Sequence, residues 1–500
     1  MIHSQLKKYF PKFSQPLDRV AIALMGILSA VIGLLILFGS NTPPRIREFS
    51  WQNRVISAQD TAFIIRFSRP MERQSVENNL KIDPPLPGRI SWAGQRMAYT
   101  LNEPAPYGNR FQVSLNNAQD RFSADNPNRT GVTVRPFQGE FTTRDRVFVF
   151  IGTQGEEAGR LILYNLTQQE KTFLTPSNLV VMDFKPYQNR ERILFAATTR
   201  AEAAQGQMLE QQIYTVTTGL TTVSGQPSAA GKVDLLLDHK GYQNLKFDLT
   251  PDSQTIVVHR INRRNPGDSG LWTLQPGKPA KPLENQPGGD FVMTPDSRAI
   301  AIAQGEGVAI LPIKPQAEPL DFLPRFGMVL SFSNDGTAAT MVKFNPDYTR
   351  SLYLVTNQGT QKELLKTTGS IFNCQFGPNK AQLYCLLSQL LEGEVYQEVP
   401  YLAAIDLQTG IETPLVALPD QRDAQLSLSP DGMALLFDQV VTGDPQAQAV
   451  GPSTSTGQTI VSSRLWLLAL TDASPQTPGL QILLQPEELP FRGVRPRWLP

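Results

Sequence analysis

Cysteine and histidine are nearly absent from this chain of 500 residues, which holds 2 Cys and 3 His. Two thiols, Cys374 and Cys385, are too few for a disulfide-stapled scaffold or a four-thiolate zinc site, and no CxxC pair occurs. So few imidazoles supply a zinc centre or a histidine-driven hydrolase poorly. Charge is scarce as well, at 18% of residues against a usual level of about 25%. Its signs balance, with 46 Lys+Arg against 45 Asp+Glu, which excludes a nucleic-acid binder relying on net positive charge and an acidic disordered chain. The sequence contains no GxSxG elbow, no HExxH and no Walker glycine-lysine loop. Gly305-Glu306-Gly307 reads as a hairpin turn rather than a phosphate cradle. Neither an enzyme activity, a cofactor nor a metal is therefore expected.

Proline and glycine are abundant instead, 40 and 36 residues, a bias toward short strands joined by turns. The length allows about two to four domains. One run stands apart: from Val20 to Gly39 no residue is charged, and as a helix it would rise roughly 30 Å, enough to cross a bilayer. It is longer than the apolar run of a secretory signal and lacks a small-x-small site after it, so the expectation is an uncleaved transmembrane helix over 20–39 behind a short cytoplasmic tail over 1–19. Lys7, Lys8, Lys12 and Arg19 precede it, while Arg45, Arg47 and Arg54 follow. Positive-inside counting then favours a cytoplasmic amino terminus, a single-pass protein, and a bulk that is periplasmic or extracellular.

Beyond the run, residues 45–144 alternate in short stretches with Pro and Gly at the junctions. Phe63, Ile65 and Phe67 form one half-buried strand, and Phe111, Val113 and Leu115 another, at the close spacing of a β-sandwich. The stretches Phe67–Met71, Trp92, Tyr107–Phe111 and Phe141–Thr143 resemble the bacterial Ig-like module of the SbsA type, whose strands carry F-S-x-P-M, a hairpin Trp, Y-G-x-x-Y/F and F-x-T. An Asn-rich loop, Asp120 to Gly131, replaces that family's D-x-x-G stretch. The resemblance implies a spacer or adhesive module in an exported protein, and positioning rather than chemistry.

From Arg146 to Pro500 one unit recurs: an apolar strand, a Pro/Asn/Asp turn, a strand of small and β-branched residues, then two more strands. That is the content of a four-stranded propeller blade. The turns lie at Pro186, Pro251, Pro295, Asn334, Pro378, Pro430 and Pro500. Arg146 begins a blade with no turn strand of its own, while the chain ends on GVRPRWLP, a turn strand with nothing behind it. The carboxy-terminal strand is expected to complete the blade that Arg146 begins and so remove the open edge. Ser429–Gly432 gives S-P-D-G, and Thr250–Ser253 and Thr294–Ser297 come close, so the region resembles the propeller of TolB and related WD-like families. The fold class is thus mainly β: a transmembrane helix, an Ig-like β-sandwich over 45–144, and a propeller of about seven blades over 146–500.

The repeated acids Asp252, Asp296, Asp335 and Asp431 sit in tight turns, where capping of nearby main-chain N–H is the expected role rather than metal binding. Cys374 and Cys385 flank one turn on neighbouring strands, pointing into the blade packing, as a disulfide or as two buried apolar thiols. Second-to-third-strand loops are long at Thr199–Gln211, Asn262–Ser269, Ser388–Pro400 and Gln439–Ser463, all on one face. That face offers Arg263, Arg264, Asp268, Glu394 and Tyr396, with Asp290, Arg422, Asp423 and Arg492 near the entries of inner strands. The functional expectation is a membrane-anchored, non-catalytic scaffold that holds a protein or cell-envelope component there, with no nucleic-acid partner. The alternative is an enzyme or small-ligand sensor with a site in the propeller channel, built from Asp183, Asp248, Asp423 and Arg495.

Overall fold

The computed structural model describes residues 16–39, 43–121, 132–220, 228–283, 289–305, 307–313, 321–391, 393, 397–419, 421, 424–443, 454, 458, 460–470 and 484–500. Helix α1 spans Pro16–Gly39. Its side chains over 20–34 are almost all exposed. Among the described residues no helix is long and apolar enough to cross a membrane. The single-pass anchor over 20–39 does not hold, and neither does the localisation read from it.

The chain divides into two compact units: Met1–Arg54 with Ala62–Thr100 and Arg110–Phe141, and Val55–Thr61 with Leu101–Asn109 and Thr142–Pro500. In the amino-terminal region one sheet runs, in order, Ile46–Phe49, Ala62–Phe67, Arg96–Leu101 and Gly88–Ala93. A second runs Val55–Ile56, Phe137–Thr143, Arg110–Leu115 and Leu80–Asp83. Phe63, Ile65 and Phe67 point inward and are fully buried, as strand alternation predicts. Aromatic rings join the sheets: Trp51 lies 5.3 Å from Phe63 and 4.9 Å from Phe141, which stacks on Phe111 at 5.1 Å.

Among the described residues seven further four-stranded sheets follow one another along the second unit. Six are built of consecutive strands, starting respectively with Leu179–Pro186, Tyr242–Leu249, Phe291–Met293, Met328–Phe332, Ile371–Phe376 and Leu426–Leu428. The remaining one places Gly493–Trp498 beside Val147–Gly152, followed by Leu161–Asn165 and Glu170–Phe173. The carboxy-terminal strand therefore closes the ring at the blade that Arg146 begins. We number that blade 1 and the others 2 to 7 in chain order, and call the first strand of each the inner strand. Apolar layers between blades form the core. Val149, Leu163, Val181 and Phe195 join blades 1 and 2, and Leu386, Leu402, Leu435 and Phe437 join blades 6 and 7. At the closure Trp498 packs edge-on against Phe148 with centroids 5.6 Å apart, beside Leu436 and Leu465.

The turn acids cap their own turns. Asp252, Asp296, Asp335 and Asp431 accept from the Thr or Ser hydroxyl two residues before them, at 2.6, 2.6, 2.8 and 2.5 Å. The residue after each acid has positive φ, supplied by Gly336 and Gly432 in two turns but by Ser253 and Ser297 in the others, at 60° and 61°. Glycine is the usual choice there. The serines have a use that offsets the strain: Ser253 Oγ accepts from Gln188 N at 3.0 Å and Ser297 Oγ from Asp252 N at 2.9 Å, linking each turn to the preceding blade.

Candidate functional site

The inner strands position a line of alternating charges that crosses four blades. Irregular pairing places a bulge in five of the seven, between Val181 and Asp183, Asn244 and Lys246, Val329 and Ser331, Ile371 and Asn373, and Val494 and Arg497. Bulges re-aim the side chains beside them. In blade 2 this happens at Asp183, whose Oδ1 lies 3.3 Å from Arg495 and 3.4 Å from Arg497, both on the closing strand of blade 1. Lys185, two residues on, reaches Asp248 of blade 3 at 3.0 Å. Lys246 of blade 3 in turn pairs with Asp290, at the entry of blade 4. Four cations meet three carboxylates.

These groups are partly wet. Arg495, Arg497, Lys185 and Asp183 keep between about a quarter and a third of their side-chain surface exposed. Burial pushes the Asp183 carboxyl up, but Arg497, Arg495 and Lys185 outweigh it and hold it below the usual carboxylate range. Arg497 also sits over the Phe184 ring, 5.5 Å from its centroid. Behind the line lies Asp438, on the second strand of blade 7 and 1% exposed. Its two oxygens accept from Gln425 N at 2.6 Å and from Arg495 N at 2.7 Å. Burial pushes this carboxyl up to about 6, against the pull of those two N–H groups and of the Arg495 charge.

No family model and no curated protein matches the chain. Among solved structures it is similar to TolB from Acinetobacter baumannii, at 12% identity over 84% of this chain and 83% of that one, with a TM-score of 0.39. A Bacteroides uniformis protein provisionally assigned as a 6-phosphogluconolactonase gives 12% identity over 71% and 99%, with a TM-score of 0.42. A Lactobacillus plantarum protein gives 14% over 71% and 99%, with 0.41. The propeller itself rests on the seven sheets and the closing strand pair.

The residues expected on the loop face are largely engaged within the chain. Arg263 takes Glu210 with two guanidinium nitrogens and donates from Nε to His239 O at 2.6 Å. Asp268 accepts from Asn262 at 2.9 Å and from the Tyr242 hydroxyl at 3.4 Å, while Arg492 reaches Glu488 at 2.8 Å. Arg264 is exposed. Asp290, exposed, pairs with Lys246 and extends the line of charges. Glu394, Tyr396, Arg422 and Asp423 lie outside the described residues. So does most of 446–458, a sequence of small and polar residues. The second-to-third-strand loops are also shorter than expected where the strands run on: Leu390 still pairs with Glu398, so the loop between them begins after Leu390 rather than at Ser388.

Cys374 and Cys385 face each other across the strand pair and form a disulfide, with Cα atoms 4.1 Å apart. Sequence reading missed two groups. His239 stands 3.6 Å from both Glu202 and Glu210, which come from the preceding blade's loop. No cluster of three or more metal-type ligands is present among the described residues. Asp438 had a local signal that went unused: an acid inside the apolar strand ALLFDQVV needs partners from elsewhere in the fold.

Proposed function

We propose that this chain is a non-catalytic binding protein whose propeller holds the acidic group of a protein partner at the inner-strand charges of blades 1 to 4. The observation that carries this reading is the Arg495–Asp183–Arg497 junction with Lys185 beside it. Its cations exceed its carboxylates by one along the whole line, they remain partly exposed, and Arg side chains suit bidentate contact with a carboxylate. The amino-terminal sheets fit the Ig-like spacer that their motifs resemble, a role of positioning.

One observation favours the alternative of an enzyme: a buried carboxyl pushed up to about 6 is a familiar acid–base group. Accessibility argues against it. Asp438 is 1% exposed and both its oxygens are taken by main-chain N–H, so no substrate atom reaches it.

The test is purification of the intact chain in mild conditions from the cells that make it, with mass spectrometry of what accompanies it. The Arg495→Ala/Arg497→Ala pair and the Arg263→Ala/Arg264→Ala pair serve as comparisons. A stoichiometric partner lost only with the first pair supports the reading; a partner lost only with the second moves the site to the loop face and refutes it.

A further inference from the structure

We propose that Asp438 is the positioning residue of the inner-strand site, holding the closing strand in the turned conformation that brings Arg495 and Arg497 together onto Asp183. This deepens the binding reading above and rests on it for its functional meaning. Arg495 has φ of 54°, in the left-handed region that an L side chain adopts at a cost. It also precedes Pro496, and a residue before proline favours extended backbone. Two preferences are thus violated at one residue, and such a conformation persists only where the surroundings over-determine it.

The pairing shows what the conformation achieves. Val494 stands opposite Ile151 and Arg497 opposite Val149, so Arg495 and Pro496 together span the single position of Phe150. With this bulge both guanidinium groups reach the same Asp183 oxygen. The group that fixes it is Asp438, whose Oδ2 accepts from Arg495 N while Oδ1 accepts from Gln425 N, just before the inner strand of blade 7. One carboxylate therefore ties the closing strand to blade 7 at the residue where the backbone is strained. Trp498 N, donating to Ser427 Oγ at 3.1 Å, adds a second tie three residues on.

The charge environment of Asp438 is simple. Arg495 is the charged group that acts on it, Gln425 offers a main-chain N–H, and the third strand of blade 7 presents Leu465 opposite. Arg464, one position further, is engaged with Glu488 at 3.6 Å. The buried carboxyl titrates near 6, raised by burial, while opening the closing strand would hydrate it and return it toward about 4. The closed strand thus binds the proton more tightly than the open one, so closure strengthens as pH falls through 6 and weakens as pH rises above it. Asp183, which the same opening would release, is held below the ordinary carboxylate range and stays ionised in that window.

The test is hydrogen–deuterium exchange of the full chain between pH 5 and 7.5, corrected for intrinsic exchange, read on the peptide over Gly493–Trp498 with Ala299–Gln304 of blade 4 as internal reference. In the wild type, protection of the closing strand rises roughly tenfold from pH 7.5 to 5, as expected for a group moving from about 4 to about 6. Asp438→Asn abolishes that slope. Asp438→Ala lowers protection at every pH, and adding Arg495→Gly restores part of it, because glycine takes positive φ without strain. A carboxylate with no hold on the Arg495 conformation would cost as much beside Arg495→Gly as beside arginine. A wild-type profile without slope, a slope retained in Asp438→Asn, or no recovery with Arg495→Gly overturns the proposal. Should the Asp438 variants fail to fold, the wild-type slope alone still decides it: a profile flat from pH 7.5 to 5 overturns the proposal. No partner is needed for this measurement, so its failure leaves the binding reading to its own test.

Discussion

Replacing Asp183 by Asn removes the negative charge that two arginines of the closing strand share. At 3.3 and 3.4 Å and an effective dielectric near 20, each contact has a Coulomb energy of roughly 5 kcal/mol before desolvation. The side chains are a quarter to a third exposed, so solvent screening and the cost of burial return most of it, leaving about 0.5–1 kcal/mol per pair. Asp183→Asn should therefore cost about 1–2 kcal/mol at neutral pH and low salt. Because the carboxyl lies below its ordinary range, its contribution is present above the unfolded value near 4 and is lost as pH falls below it. Urea unfolding followed by tryptophan fluorescence, for both proteins at low salt and at 1 M salt, measures the difference. A penalty that shrinks by at least half in 1 M salt agrees with the reasoning. A variant as stable as the wild type at low salt, or a penalty indifferent to salt, refutes it.

Other parts of the structure make their own predictions. Gly369→Ala should unfold blade 6 or cost more than about 3 kcal/mol, since a Cβ there would overlap the main-chain carbonyl of Ser388; the soluble yield and urea midpoint report it. Reduction of Cys374–Cys385, or replacement of both by Ser, should cost about 2–3 kcal/mol from the chain entropy of a short loop, read as a lower melting temperature with reductant. Phe141→Ala should cost about 3–5 kcal/mol, because that ring contacts Trp51 and Phe111 between the two amino-terminal sheets; circular dichroism on heating would show it.

Local pattern made the architecture legible. The seven turns and the unmatched strands at Arg146 and Gly493 predict blades and closure, because each blade is a run of neighbouring hairpins whose signals lie close in sequence. The capping acids are equally local, each bonding a hydroxyl two residues away. The site is different in kind. Asp183 meets Arg497 across 314 positions of chain, and Asp438 meets Arg495 across 57, so only the closed ring brings these pairs together. Asp183, Asp248 and Arg495 were legible as inner-strand charges of one channel, but Arg497, Lys185 and Lys246 beside them were not. Asp290 was legible as a charge near the entry of an inner strand, but its pairing with Lys246 of the neighbouring blade was not. The membrane reading failed because an uncharged run in a sequence does not by itself make a helix long and apolar enough to cross.

The most direct measurement of where a partner is held is cross-linking mass spectrometry on the co-purified complex with a short carboxylate-to-amine reagent. The reading predicts that cross-links from partner acids fall on Lys185 and Lys246 at the inner strands, and that they vanish with Arg495→Ala/Arg497→Ala. Cross-links confined to lysines away from the inner strands, unchanged in that variant, would contradict it.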